Sequence, residues 1–156
     1  MNPSAVFVVI IGLLLMRSKR KSDLQGAELG CPKATQDIAL NTKNRNLCIR
    51  DYMYGPLNLS DTAYWVKLAD MWKTTPQVAM NSRCYNCSAF DISPRMLKCM
   101  PGPLSEPVGD AEGYLGYCWM HHFKCHSART CETWAAGGPI TDDKVSYAWH
   151  EKATEV

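Results

Sequence analysis

Six of the eight cysteines in this chain lie within 48 residues, from Cys84 to Cys131, and no other feature constrains the fold as strongly. Regular patterning fades through the same stretch. PGPLSEPVGDAEG (101–113) reads as a turn-rich loop, and WAAGGPI (134–140) contains a Gly-Pro stop. Loops of this kind bury too little apolar surface to offset the entropy of ordering them, so the segment must be tied together through its sulfurs.

Three chemistries compete for those sulfurs. The first is a four-cysteine iron–sulfur site, in which thiolates converge on a cubane from several directions. Cys84-x2-Cys87 supplies two ligands from one turn, and Cys99 and Cys118 follow from later loops. The second is zinc: Cys118-x2-His121 has knuckle-like spacing, so Cys84, Cys87, Cys118 and His121 would make a Cys3His site. The third is a disulfide framework. Cys125 and Cys131, with five residues between them, would close a small loop, and Cys31 and Cys48, with sixteen between them, a larger one. Each such bond contributes about 2–4 kcal/mol by restricting the unfolded chain.

CYNCSAF (84–90), Cys99-Met100-Pro101-Gly102 and Gly116-Tyr117-Cys118 follow one another in an order that resembles high-potential iron–sulfur proteins. The resemblance implies a [4Fe–4S] cluster on Cys84, Cys87, Cys99 and Cys118. It also implies an apolar shell containing Phe90 and Tyr117, with Trp119 and Phe123 packing nearby, because burial and hydrogen bonds to sulfur set a cluster's potential. The longer string Cys84 to Phe90, Met96 to Cys99, Leu115 to Cys118, Phe123 to Cys125, Arg129 to Trp134 and Gly137 to Pro139 is similar to uncharacterised proteins of tailed phages of marine bacteria. That second resemblance implies a virion or an infected cell.

The N-terminus is different in kind. Ala5 to Met16 is an apolar run of twelve residues, followed at once by Arg17, Lys19, Arg20 and Lys21. A spanning helix needs about 20 residues, but the charge order is that of an uncleaved anchor with a cytoplasmic body. A helix docked in a neighbouring subunit is the alternative. Residues 17–36 read as a polar linker broken at Pro32, and 37–140 as one small domain with its cysteine-rich part at 81–134. Within it, a short helix over 40–53 is capped near Asn41 or Thr42. A second, capped by Ser60, runs to Trp72 with Trp65, Leu68, Ala69 and Trp72 on one face, expected to pack on the cysteine region. Thr75-Pro76 starts one more turn. Residues 141–156 read as a polar tail.

The expected fold is therefore small, mainly α plus irregular, with an N-terminal apolar helix and a cysteine-rich C-terminal unit organised by a cluster or by disulfides. Short β pairs flank the cluster loops. A net charge of +2 without a basic, aromatic-interleaved stripe gives no support for nucleic-acid binding. No paired carboxylate, Ser/His/Asp set, HExxH or phosphate loop is present, so the expectation is a non-enzyme. The leading expectation is an iron–sulfur protein, acting as a one-electron carrier with a redox partner or as a structural cluster domain. The alternative is a virion structural protein that contacts neighbouring subunits, stapled by disulfides or by a Cys3His zinc site.

Overall fold

A computed structural model describes residues 29–55, 61–100, 109–110 and 113–154, which include all eight cysteines. The apolar run at 5–16, most of the 17–36 linker and most of the 101–113 loop lie outside the described residues. The chain divides into two units, Met1–Gly30 and Cys31–Val156, and every element described belongs to the second. Among the described residues no helix is long and apolar enough to cross a membrane.

Helix α1 spans Lys33–Gln36, within the expected linker, and it buries Ala34 and Thr35. Pro32 does not break a helix here; it precedes one, and its carbonyl accepts the Thr35 hydroxyl at 2.7 Å. Helix α2 spans Ile38–Tyr52 and starts earlier than expected, because Asp37 caps it by accepting the Leu40 N–H. This helix is polar nearly all round and buries only Cys48. It is held by side-chain amides rather than by an apolar stripe. Asn41 accepts the Lys124 N–H and Asn44 donates to the His122 carbonyl, both at 2.7 Å.

Helices α3 (Thr62–Trp72) and α4 (Pro76–Asn81) form a hairpin. Asp61, rather than Ser60, caps α3, while Thr75 caps α4 with Pro76 at its first position as expected. Trp65, Leu68 and Ala69 pack against Ala79 of α4 and make a separate small core. The face expected to cover the cysteines thus covers a neighbouring helix instead. Part of it also meets the cysteine-rich segment: Arg83 lies 5.4 Å from the centre of the Trp65 ring, and Trp72 packs on Trp134 and donates to the Glu132 carbonyl at 2.9 Å.

The centre of the second unit is an antiparallel sheet of short strands: β1 (Phe90–Asp91), β2 (Gly109–Asp110), β3 (Gly113–Cys118) and β4 (Phe123–His126). β1 and β2 pair with the two ends of β3, and β4 pairs with it from Leu115↔His126 to Cys118↔Phe123. Alternation along these strands separates two layers. Gly116, Cys118, Phe123, Cys125 and Phe90 share one face, and Gly116 is required there because an added Cβ would sit 2.4 Å from the Phe90 ring. Leu115, Tyr117 and Asp91 share the other.

That second face is covered by a conventional core of Ala34, Met96, Met100, Trp119 and Ile140. Helix α5 (Pro94–Cys99) contributes Met96 and Cys99. Here Cys99 is bonded to Cys31, with Cα atoms 5.4 Å apart, and the Gln36 amide donates to the Cys99 carbonyl. The expected Cys31–Cys48 and Cys125–Cys131 bonds are not formed. α1 carries Cys31 to the Tyr117 face of the sheet, whereas Cys48, Cys125 and Cys131 sit on the opposite side.

The expected tail is helix α6 (Asp143–Thr154), anchored by the buried Arg95. The guanidinium donates to Ser146 Oγ at 2.8 Å and to His150 Nδ1 at 2.9 Å, and lies 4.1 Å from the centre of the Tyr147 ring. Because arginine can only donate, His150 Nδ1 must carry a lone pair, and the ring is neutral. Burial and the Arg95 charge accordingly lower the His150 pKa.

Two predictions follow from this packing. Anaerobically prepared protein, unfolded with chelator and alkylated, should show one disulfide between Cys31 and Cys99 and six free thiols. The Cys31→Ser/Cys99→Ser double variant should lose about 4 kcal/mol in denaturant unfolding, because the bond closes a long loop. Separately, the lowered His150 pKa means that the unfolded chain takes up a proton before the folded one. Stability from α6 docking should be full above the unfolded value of about 6.5 and fall as pH drops below it. His150→Gln should flatten that slope in urea titrations at a series of pH values.

Candidate metal centre

All six unbonded cysteines belong to one core. Cys48, Cys84, Cys125 and Cys131 are buried there with Tyr54, Phe90 and Phe123, and the half-buried Cys87 and Cys118 pack against them. Sulfur replaces the aliphatic carbon that a core of this size would otherwise use.

Four stretches of chain deliver these side chains. Cys48 lies one turn before the end of α2. Cys84 and Cys87 begin and cap a short 3-10 turn, Cys84–Asn86. Cys118 and Cys125 lie diagonally on one face of the β3–β4 ladder, set by the pairs Gly116↔Cys125 and Cys118↔Phe123. His121 lies in the tight turn between those strands, where His122 takes a φ of 53°. Cys131 lies in the loop after β4.

Backbone hydrogen bonds fix the loops, since few apolar contacts could. The Cys84 N–H donates to the Arg129 carbonyl at 2.7 Å, and the Ser88 N–H to the Ala135 carbonyl at 2.8 Å. The Gly55 N–H donates to the Thr130 carbonyl and the Glu132 N–H to the Tyr52 carbonyl, both at 2.9 Å. Cys131 is thereby held against the last turn of α2. Cys48 and Tyr52 are four residues apart on that helix and so share a face. One brings a thiol to Cys131, and the other stacks on the His121 ring at 4.5 Å between centroids.

Cys48, His121 and Cys131 make the tightest group. Their ligand atoms all lie within 4.8 Å of one another. Tetrahedral zinc, with Zn–S near 2.3 Å and Zn–N near 2.0 Å, sets neighbouring ligand atoms about 3.5–3.8 Å apart, so at most about 1.3 Å of closure is needed. Thr133 Oγ1 reaches His121 Nε2 at 2.7 Å and Cys131 Sγ at 3.2 Å, and thus orients both.

The electrostatics fit a set of ligands. Hydrogen bonding from the Cys48 thiol, with help from His121 and Thr133, lowers the Cys131 pKa against the opposing effect of burial. The same bond, together with burial, raises Cys48. Burial works against protonation of His121 but is outweighed by its bond to Cys131 and by nearby thiolate charge, so its pKa is raised. A thiol, a neighbouring thiol pushed toward its anion and an imidazole are groups that a thiophilic dication would bind in exchange for protons.

A second group lies alongside. The Cys125 thiol is within hydrogen-bonding reach of both Cys84 and Cys118. With Cys87 and Cys131 these three line a cavity of about 20 Å³, closed by Phe90, Met120 and Trp134. That volume takes one water-sized sphere.

Three of the four expected cluster ligands, Cys84, Cys87 and Cys118, therefore reach a common cavity. Cys99 does not, because it is bonded to Cys31 in the other core. Of the expected shell, Phe90 and Phe123 lie in the sulfur core, whereas Tyr117 and Trp119 lie in the opposite one. Tyr117 is adjacent to Cys118 on a strand and must face away from it. Trp119 turns the same way, and its Nε1–H donates to the buried Asp91 carboxylate at 2.7 Å. The Cys3His set expected from the spacing joins His121 with Cys84, Cys87 and Cys118, whereas His121 lies closest together with Cys48 and Cys131. The overlooked signal was the Cys48–Tyr52 spacing, which puts a thiol and an aromatic ring on one face of α2. No family model, curated protein or solved structure matches the chain.

Proposed function

We propose that this chain is a non-enzymatic metal-binding protein in which a zinc ion held by Cys48, His121 and Cys131 locks a loop-rich domain together. The observation that carries this reading is the mutual approach of the three ligand atoms to within 4.8 Å, in a buried setting, from three separate parts of the chain. The fourth position would fall to Cys118, which lies outside the 4.8 Å group but acts electrostatically on Cys48, Cys131 and His121.

Zinc suits a set of soft thiolates with one imidazole, and four protein ligands leave no open position for substrate. A thiolate beside a protonated imidazole also resembles a nucleophile with its base. Against that, Cys131 is 9% exposed and a second thiol hydrogen-bonds to it, which blocks attack on a substrate carbonyl. A four-cysteine cubane through Cys99 would require the Cys31–Cys99 bond to be broken.

The role follows from where the ligands sit. One ion joins α2, the β3–β4 turn and the loop after β4, elements otherwise connected by backbone and amide hydrogen bonds, the Tyr52–His121 ring contact and the small sulfur-rich core. Such a site contributes directly to folding free energy.

Protein purified under reducing, anaerobic conditions should contain zinc by elemental analysis, and His121→Ala should reduce its content. With free zinc about 1,000-fold above the dissociation constant, binding contributes about 4 kcal/mol. Chelation should then lower the thermal midpoint by about 15 °C. Protein without metal, or with iron and acid-labile sulfide, would contradict the proposal, as would a Cys48–Cys131 disulfide in the fresh preparation.

A further inference from the structure

We infer that the protein holds a second thiophilic ion, bound by Cys84, Cys87, Cys118 and Cys125 in the adjoining cavity. The inference deepens the zinc reading and assigns a separate all-sulfur site.

Four observations converge on this cavity. The first is convergence itself. A 3-10 turn supplies Cys84 and Cys87, and the β3–β4 ladder supplies Cys118 and Cys125 from one face, so these four thiols reach one partly open cavity of about 20 Å³, with Cys131 of the first group at its wall. Two rigid elements each giving two sulfurs is the arrangement that a tetrahedral site uses.

The second is a buried hydroxyl with nothing to bond. Thr130 is 1% exposed and lines the cavity, and among the described residues its Oγ1 has no hydrogen-bond partner. Leaving a hydroxyl unpaired in a dry core is costly, and a neutral thiol is a weak acceptor. A metal-bound thiolate is a strong one, so loading the site would satisfy Thr130.

The third is the surrounding of Cys87. Burial pushes its thiol up to about 11, and the backbone N–H groups of Ala135 and Ala89, within reach of the sulfur, oppose that shift. Gly138 makes this turn accessible, since an added Cβ there would lie 1.7 Å from the Cys87 carbonyl oxygen. Backbone donors aimed at sulfur stabilise the thiolate, which is the form that ligates.

The fourth is charge. On binding, the four thiols release four protons to solvent and the dication leaves the site with a net charge of −2. Arg129 is close enough to act electrostatically on Cys84, and it is held in place by donating to the Gly55 carbonyl at 2.9 Å. A cation and three N–H or O–H donors therefore surround the sulfurs. Room for one water-sized sphere suits a single ion and not a cubane. Cys118 lies between the two groups and would serve either site alone, or bridge two ions when both are filled.

Native mass spectrometry of the full chain loaded with zinc, followed by cadmium exchange and 113Cd NMR, tests this. The expected result is two ions per chain, giving one all-sulfur signal and one sulfur–nitrogen signal. Cys125→Ser should remove the all-sulfur signal alone, and His121→Ala should alter only the other. The wild-type stoichiometry needs no variant, so misfolding of either variant leaves a clear readout. A single ion that His121→Ala displaces and Cys125→Ser does not would overturn the second site while preserving the first. A single ion with the reverse dependence would preserve the second site and remove the first. No ion, or a Cys84–Cys125 disulfide in reduced preparations, would overturn it.

Discussion

Six reduced sulfurs packed into one core are a demanding way to fill space. A thiol is smaller than a leucine or phenylalanine side chain and brings less apolar area out of water, so this layer supplies less hydrophobic stabilisation than its size suggests. It also contains groups that ionise. Where one thiol hydrogen-bonds to another, as Cys48 does to Cys131 and Cys125 to Cys118, the acceptor shifts toward the thiolate. Negative charge in a buried layer needs a compensating cation. A bound metal would meet both demands at once, and the backbone hydrogen bonds around the ligand loops keep the sulfurs together.

The opposite layer clarifies the division of labour. Met96, Tyr117, Trp119 and Ile140 form an ordinary apolar core, closed at one edge by the Cys31–Cys99 bond and at another by Arg95 and helix α6. The sheet between the layers is only as wide as needed to present Cys118 and Cys125 on one side and Tyr117 on the other. On the proposed reading, an ordinary apolar half supports a half whose order would depend on coordination. Thr133 and the backbone clamps at Gly55, Cys84 and Glu132 hold the ligand loops near their bound positions, which limits the entropy lost when an ion enters.

Much of this was legible in the sequence. The density of cysteine pointed to a sulfur-rich core, Cys84-x2-Cys87 to a tight turn carrying two thiols, and Thr75-Pro76 to a helix start, and the structure contains all three. Other parts were not legible, for identifiable reasons. Cysteine spacing does not encode which sulfur meets which, because partners are chosen by tertiary packing. Cys99 left the expected set because Ala34 and Thr35, in a segment read as linker, are buried and bring Cys31 to it. The sequence pairs Cys48 with Cys31 rather than with Cys131 and His121, because α2 is docked by Asn41 and Asn44 and polar docking leaves no apolar period to read. Tyr117 and Trp119 were misplaced because the strand at 113–118 was expected only as short β pairing, and without a strand there is no alternation.

The most direct test of the central claim, that these sulfurs are metal ligands and not merely core atoms, is X-ray absorption at the zinc edge on purified, reduced protein. The account predicts a four-coordinate first shell dominated by sulfur near 2.3 Å with a minority imidazole contribution. A shell of oxygen and nitrogen alone, as for zinc picked up on the surface, would contradict it.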